Sequence, residues 1–289
     1  MVYRKIEEKY IFILPAVLIL AAFGLFPAVA SLILSFTNFS LAQVGEKLNF
    51  VGLANYLKLF SDTRFIFSMK NTIIYVILGV GFQYIIGMFL AMLLYEETKI
   101  NKFYRVAFLI PMMLTPVAIG YMWRMMFHGT YGPINHLLSL INLPVIPWLS
   151  SVRIALLSIM LVDFWQWTPF FILALLAGRM SISKEYYDAA VVDGANTVQT
   201  FAYITFPILL PVSLTVILIR AIETAKIVDI IYVMTGGGPG VATESLTLYG
   251  YISGVKLFNL GYASSIAYTI LVAVVVLGFI FLRLKERFE

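Results

Sequence analysis

Four charged residues stand three apart in an otherwise apolar run: Arg220, Glu223, Lys226 and Asp229, alternating in sign. Charge at membrane depth is costly and normally faces a bundle interior or a water-filled cavity. Two uses fit the spacing. One is a ladder of i,i+3 ion pairs that neutralises itself and stitches its helix to its neighbours. The other is a polar wall of a transport cavity, where carboxylates and cations hydrogen-bond to a hydroxyl-rich solute. Asp163 poses the same question in the stretch DFWQWTPF, beside Trp165, Gln166 and Trp167. An aromatic face with a carboxylate and an amide nearby suits a sugar ring, whose C–H face is apolar and whose edge carries hydroxyls. Alternatively, the tryptophans only fill helix packing around Pro169. Arg124, at the end of an earlier apolar run, is placed to snorkel to the interface.

A second constellation is the polar island SKEYYDAAVVDGANTVQTFAYITFPILLP, which begins at Ser183. Ser183 is a good N-cap, and Glu185 sits in the first turn, where a helix favours negative charge. The helix should stop at Gly194, which accepts the left-handed conformation without steric cost, and Asn196 or Thr197 can cap a second helix leading into Pro207. Tyr187, Ala190 and Val191 share one face of the first helix. Lys184, Glu185, Asp188 and Asp193 leave the island net acidic. A helix lying on an anionic cytoplasmic leaflet is normally rich in Lys and Arg, so a protein partner is favoured over a lipid surface.

No enzyme constellation is visible. G-x-S-x-G, H-E-x-x-H and C-x-x-C are absent, and so is the phosphate-binding G-x-x-x-x-G-K-[ST], since the cluster GGGPGVATES has no lysine. Cysteine is absent, which excludes disulfides and thiolate metal sites. His128 and His136 have no carboxylate near them in sequence and read as interfacial residues. No cofactor or metal is expected in this chain.

The elements that position these groups follow from hydropathy. The chain is 61% hydrophobic and 12% charged, with a mean hydropathy of +0.94. No soluble domain of 289 residues could cover that much apolar surface, so lipid is the solvent for most of it. The fold class is all-α, a polytopic membrane protein read as one transmembrane domain. Six spans are expected, at about 10–36, 65–95, 104–127, 153–178, 207–233 and 260–282, with a polar loop at 179–206. The first run is too long for a signal-peptide core and should stay as a span. Pro111 and Pro116 are expected kinks in the third. Asn55 to Arg64 reads as a short amphipathic helix, and residues 128–151 are too broken by Gly and Pro to span. Gln43, Glu46 and Asn49 make a polar loop after the first run.

With six spans, one side of the membrane holds Arg4, Lys5, Lys9, Lys99, Lys102, Arg105, Arg179, Lys184, Arg283, Lys285 and Arg287. The other holds Lys47, Lys58, Arg64 and Lys256. The bias puts both termini and the island in the cytoplasm. The net charge of +5 is then a flank effect that calls for no nucleic acid.

The island resembles the EAA loop of the membrane subunits of binding-protein-dependent ABC importers. Asp188, Ala189 and Ala190 stand for Glu-Ala-Ala, Gly194 follows after three residues, and Ile204, Phe206 and Pro207 stand for Ile-x-Leu-Pro after nine more. Asp188 replaces the usual Glu, Phe206 the usual Leu, and Ser183 stands where sugar-type members commonly carry Pro. The segment IVDIIYVMTGGGPG, with Glu244 to Tyr249 and Gly261 to Ser265 after it, is similar to the carbohydrate subgroup, relatives of the maltose and glycerol-phosphate importer subunits. So are Trp165, Pro169 and Ala177, and Phe50 to Tyr56.

The resemblance implies a type I importer permease fold in the inner membrane of a prokaryote. It also implies a second homologous permease subunit, an extracytoplasmic solute-binding protein, and two ATPase subunits that hold the ATP and Mg. Tyr187, Asp188, Ala189, Ala190, Val191, Asp193, Gly194 and Ala195, supported by Phe201 and Pro207, would couple to the ATPase. Asp163, Trp165, Trp167, Arg220, Glu223, Lys226 and Asp229 would be candidates for the solute pathway. The solute expected is a sugar, oligosaccharide, polyol or sugar-phosphate. Rival readings are an importer of the same type for amino acids or anions, an ion-coupled secondary transporter using the charges from Arg220 to Asp229, and a purely structural membrane anchor.

Overall fold

The structure, a computed structural model, describes residues 2–42 and 48–287. Gln43, Glu46 and Lys47, and the side chains of Arg4, Lys5 and Lys9, lie outside the described residues. Among the described residues there is no strand, only an isolated bridge between Thr37 and Phe50. Among the described residues, five helices are long and apolar enough to cross a membrane: Phe12–Ser35, Thr63–Leu93, Ala155–Met180, Thr197–Ala225 and Leu260–Lys285. A sixth arises if the pair Lys99–Met113 and Pro116–Met126, bent by 95°, is counted as one broken span.

Three prolines shape the first, third and fifth spans. A helical proline lacks an N–H and its ring collides with the carbonyl four residues back. At Pro27 and Pro207 the chain absorbs this by π-turns at Ala21–Leu25 and Phe201–Thr205, closed by Phe26 N to Ala21 O and Phe206 N to Phe201 O. Both helices therefore run on through their prolines. The fifth span begins at Thr197 instead of Pro207, and the second helix of the island is its first turns.

At Pro116 the outcome differs. The residue before a proline is pushed to extended backbone, and Thr115 takes φ −68° and ψ 139°. The helix breaks there, so the expected third span of 104–127 is two helices at a sharp angle. The carbonyl freed at Leu114 accepts from the Gln166 amide at 3.2 Å.

The fifth span also ends early, at Ala225, and a separate short helix, Asp229–Met234, follows. The expected amphipathic helix from Asn55 ends at Ser61, with Asp62 extended as its C-cap. The broken stretch 128–151 holds a short helix, Pro133–Leu140, and the glycine-rich turn is followed by another, Leu246–Tyr251.

The chain forms two compact units. One comprises Met1–Thr63 with Tyr249–Thr269. In it Asn55 closes the end of the first span by donating to the carbonyls of Ser35 and Thr37 at 2.9 and 2.8 Å. Asp62 accepts from the hydroxyls of Tyr249 and Tyr262. Burial, and then the bond to Asp62, push the pKa of Tyr249 up to about 12.

The other unit, Arg64–Leu248 with Ile270–Glu289, holds an apolar core. Val80, Met88 and Ala91 of the second span pack there with Phe171, Leu175 and Leu176 of the fourth and Leu209 and Val216 of the fifth. The second and fourth spans meet at Gly87, where an added Cβ would fall 2.4 Å from Phe171 Cβ. Small residues at such crossings let backbones approach in a solvent that supplies no hydrophobic drive. Gly87→Val is therefore expected to lower stability by about 1–3 kcal/mol through overpacking. A thermal-unfolding series in detergent checks this, with Gly79→Ala, where an added Cβ meets nothing within 4 Å, as the control.

Candidate functional site

The island folds as its caps direct. Ser183 caps the helix Lys184–Val192, its side chain accepting from Glu185 N. At the other end Gly194 takes φ +73°, Gly194 N donates to Val191 O at 3.1 Å and Ala195 N donates to Ala190 O at 2.9 Å. This is a complete Schellman motif, with Asp193 as C-cap. Asn196 then opens the next helix in a capping box with Gln199.

Of the nine residues in the Lys184–Val192 helix only Ala190 is buried. Tyr187 is half-buried against the core. Asp188, Ala189, Asp193 and Gly194 are exposed. Val191, on the same helical face as Tyr187 and Ala190 by its spacing, is 75% exposed. One turn separates Tyr187 from Val191, but the helix rests on the body along a narrow seam through positions 187 and 190, and Val191 lies at its edge. There it lines an open groove of about 780 Å³ together with Phe201, Ala195 and Tyr187. Phe201 meets Phe206 ring to ring at 6.0 Å, and Pro207 is exposed beyond the π-turn.

The seam contains a knot that the sequence reading passed over. Arg179, in the last turn of the fourth span, lies between the rings of Tyr95 and Tyr187, its guanidinium carbon 4.2 and 4.4 Å from their centroids. It donates to the Tyr187 hydroxyl and, at 3.4 Å, to Thr205 Oγ1 in the π-turn of the fifth span. Tyr187 and Thr205 are themselves 3.2 Å apart, oxygen to oxygen. Sequence had counted Arg179 only as a flanking positive charge.

The intramembrane charges are distributed differently from either expectation. Arg220 turns away from its own helix and pairs with Asp163 of the fourth span, its Nη2 donating to both carboxylate oxygens at 2.6 Å, with the two side chains 5% exposed. Gln83 of the second span completes the cluster, accepting from Arg220 Nε at 3.1 Å and donating to Asp163 Oδ2 at 2.7 Å. Trp167 stacks over the guanidinium at 4.8 Å. The i,i+3 ladder thus has a single rung, Glu223 with Lys226 at 2.9 Å, about half exposed. Lys226 stands at the break after the fifth span, and Asp229 is exposed in the first turn of the short helix. Trp165 lies edge-on to Trp123 at 5.6 Å. Arg124 donates to Val233 O at 2.9 Å, near the C-terminal end of that short helix.

The structure therefore gathers Asp163, Trp167 and Arg220 around Gln83 and leaves Glu223, Lys226 and Asp229 outside that cluster. Gln83 escaped the reading, although a fully buried amide in an apolar run is the signal that flags a polar partner. Among the described residues no group of three or more His, Asp or Glu could hold a metal ion.

A family model described as binding-protein-dependent transport system inner membrane component matches residues 83–289. A probable ABC transporter permease of Sinorhizobium fredii is 35% identical, covering 95% of this chain and 88% of its own. The trehalose/maltose transport system permease protein of Thermococcus litoralis is 34% identical over 98% of this chain and 94% of its own. Among solved structures, a bacterial alginate ABC transporter in complex with an alginate pentasaccharide-bound periplasmic protein superposes with a TM-score of 0.86 over 98% of this chain and 96% of that one, at 20% identity. At that identity the likeness speaks for the fold. With the EAA-like island, the run of apolar helices and relatives that cover the chain almost end to end, this protein belongs to the family of binding-protein-dependent transport system inner membrane components, as a multi-pass permease subunit of an ABC transporter.

Proposed function

We propose that this permease subunit imports a carbohydrate, whether a sugar, oligosaccharide or another glycoside, and takes its energy from a separate ATPase through the helix Lys184–Val192. The observation that carries the solute class is the agreement among relatives. Among them are permeases for trehalose and maltose at 34% identity, for sulfoquinovosyl glycerol at 32%, and for arabinooligosaccharides at 29%. All are glycosides.

The coupling role is supported by the island's geometry. A short acidic helix, capped at both ends, is exposed on all sides except a seam that binds it to the ends of the spans. Docked in a groove on the ATPase, such a helix moves as a rigid body when two ATPase subunits close on ATP, and the spans follow from an inward-facing to an outward-facing arrangement. The chain carries no phosphate-binding loop of its own, so ATP and Mg belong to the partner. A second permease subunit and a solute-binding protein complete the assembly. Both termini and the island face the cytoplasm, in keeping with the flanking basic residues.

The test is uptake into vesicles reconstituted with the complete complex and its binding protein. Labelled oligosaccharide should accumulate only with ATP inside the compartment that holds the ATPase. Transport by this chain alone on an ion gradient, or uptake confined to amino acids, would overturn the proposal.

A further inference from the structure

The helix Lys184–Val192 is held by very little. Beyond its covalent ends, its attachment consists of Ala190, buried at 5% exposure, and the ring and hydroxyl of Tyr187. The Tyr187 ring packs against the core, and its polar and cation–ring contacts are centred on Arg179. A guanidinium is planar and delocalised, so its faces can stack on two rings while its edge donates in the plane. At position 179 both capacities are used. The guanidinium carbon stands 4.2 Å from the ring centre of Tyr95, just after the second span ends, and 4.4 Å from that of Tyr187 on the island helix, while Nη1 donates to Tyr187 and Thr205. Arg179 itself belongs to the fourth span. One side chain thus joins the ends of three spans to the exposed helix.

We propose that Arg179 is the positioning residue through which displacement of the island helix reaches the second, fourth and fifth spans. The inference rests on the coupling role proposed above for that helix. A push on a helix anchored at one seam travels through the stiffest contact in the seam. Here the apolar part is the Ala190 methyl and the Tyr187 ring against the core, and the polar part is the Tyr95–Arg179–Tyr187–Thr205 knot. The π-turn supports this, because Thr205 lies where the fifth span departs from regular helix, the kind of place where helices kink.

The experiment measures ATP hydrolysis and oligosaccharide uptake together in vesicles holding the complete complex. Arg179→Met keeps the aliphatic stem and removes the planar charge. It is expected to leave hydrolysis running while solute moved per ATP falls by about tenfold or more, the scale of losing a charge-assisted, stacked contact. Arg179→Lys retains the charge without the fork and should recover part of the ratio. Tyr187→Phe keeps the ring, loses the hydroxyl, and should lower the ratio by less than Arg179→Met.

Lys102→Met, at an exposed pair with Glu97, should leave the ratio unchanged. An unchanged ratio in Arg179→Met overturns the inference. So does a parallel loss of hydrolysis and uptake with the ATPase missing from the purified complex, which would make Arg179 an assembly residue only. If Arg179→Met does not reach the membrane, Tyr187→Phe decides alone, and an unchanged ratio there is equally fatal. A wild-type complex without ATP-driven uptake would defeat the functional reading instead, and the two failures are told apart by that one sample.

Discussion

Replacing Asp163 by alanine is expected to lower the stability of the folded protein by about 3–5 kcal/mol, the typical cost of leaving one partner of a buried ion pair uncompensated. The cluster has no slack to absorb the loss. Asp163 and Arg220 are each 4% exposed and Gln83 is 0% exposed, so no solvent reaches a stranded guanidinium. Asp163→Asn should cost less, since the amide oxygen can still accept from Arg220 and Gln83, although the charge and the second acceptor oxygen are lost. Arg220→Lys should cost more than its charge suggests, because one ammonium nitrogen would have to replace both Nη2, which meets the carboxylate, and Nε, which meets Gln83, and it has no planar face to lay on Trp167.

The double variant Asp163→Ala with Arg220→Met should be milder than either single change taken with its orphan, since removing both charges removes the desolvation penalty. Thermal-unfolding midpoints in detergent, assembled as a double-mutant cycle, measure this. If Asp163→Ala unfolds like the wild type but loses affinity for solute, the pair lines a pathway and is not a tie between the second, fourth and fifth spans.

That cluster shows where sequence reading stopped. The charges at 220, 223, 226 and 229 have helical spacing, and spacing describes neighbours along one helix. It carries nothing about a carboxylate fifty-seven positions earlier that faces Arg220 across a helix crossing. The ladder failed for a local reason as well, since the helix ends at Ala225 and Lys226 serves as its C-cap.

Signals that act within a few residues were legible. Ser183, Gly194 and Asn196 cap the island where their side-chain chemistry and backbone freedom place them, and long apolar runs mark the spans. Proline was legible only as a disturbance. Pro116 breaks its helix because Thr115 is free to extend, whereas Pro207 is bridged by a π-turn that carries the fifth span back to Thr197. Which of the two occurs depends on packing around the proline, as with Gln166 supplying a donor to Leu114 O. Arg179 was visible as a charge in a basic flank, and its two tyrosines lie eighty-four and eight positions away.

Gly194→Val is expected to abolish uptake while the protein inserts and the bundle keeps its unfolding midpoint. The reason is conformational, not steric. An added Cβ would meet nothing within 4 Å, yet the backbone stands at φ +73°. Placing a β-branched residue in the left-handed region costs about 1–2 kcal/mol. For the bundle that is a small term. For the island it is large, because a nine-residue helix is marginal by itself and is held by one seam.

The strain is relieved most cheaply by undoing the Schellman turn, which frees the Ala190 and Val191 carbonyls and changes the angle at which the helix leaves for Asn196. The helix would then present a different surface to the ATPase although every span is intact. Asparagine tolerates the left-handed region better than other side chains, so Gly194→Asn should retain most of the uptake and Gly194→Ala should fall between. Uptake ordered Gly, Asn, Ala, Val, against a constant unfolding midpoint, is the expected pattern. Normal uptake by Gly194→Val would mean that the turn does not set the docking geometry, and a midpoint that falls with uptake would mean that the island is part of the bundle's stability and not a separate element mounted on it.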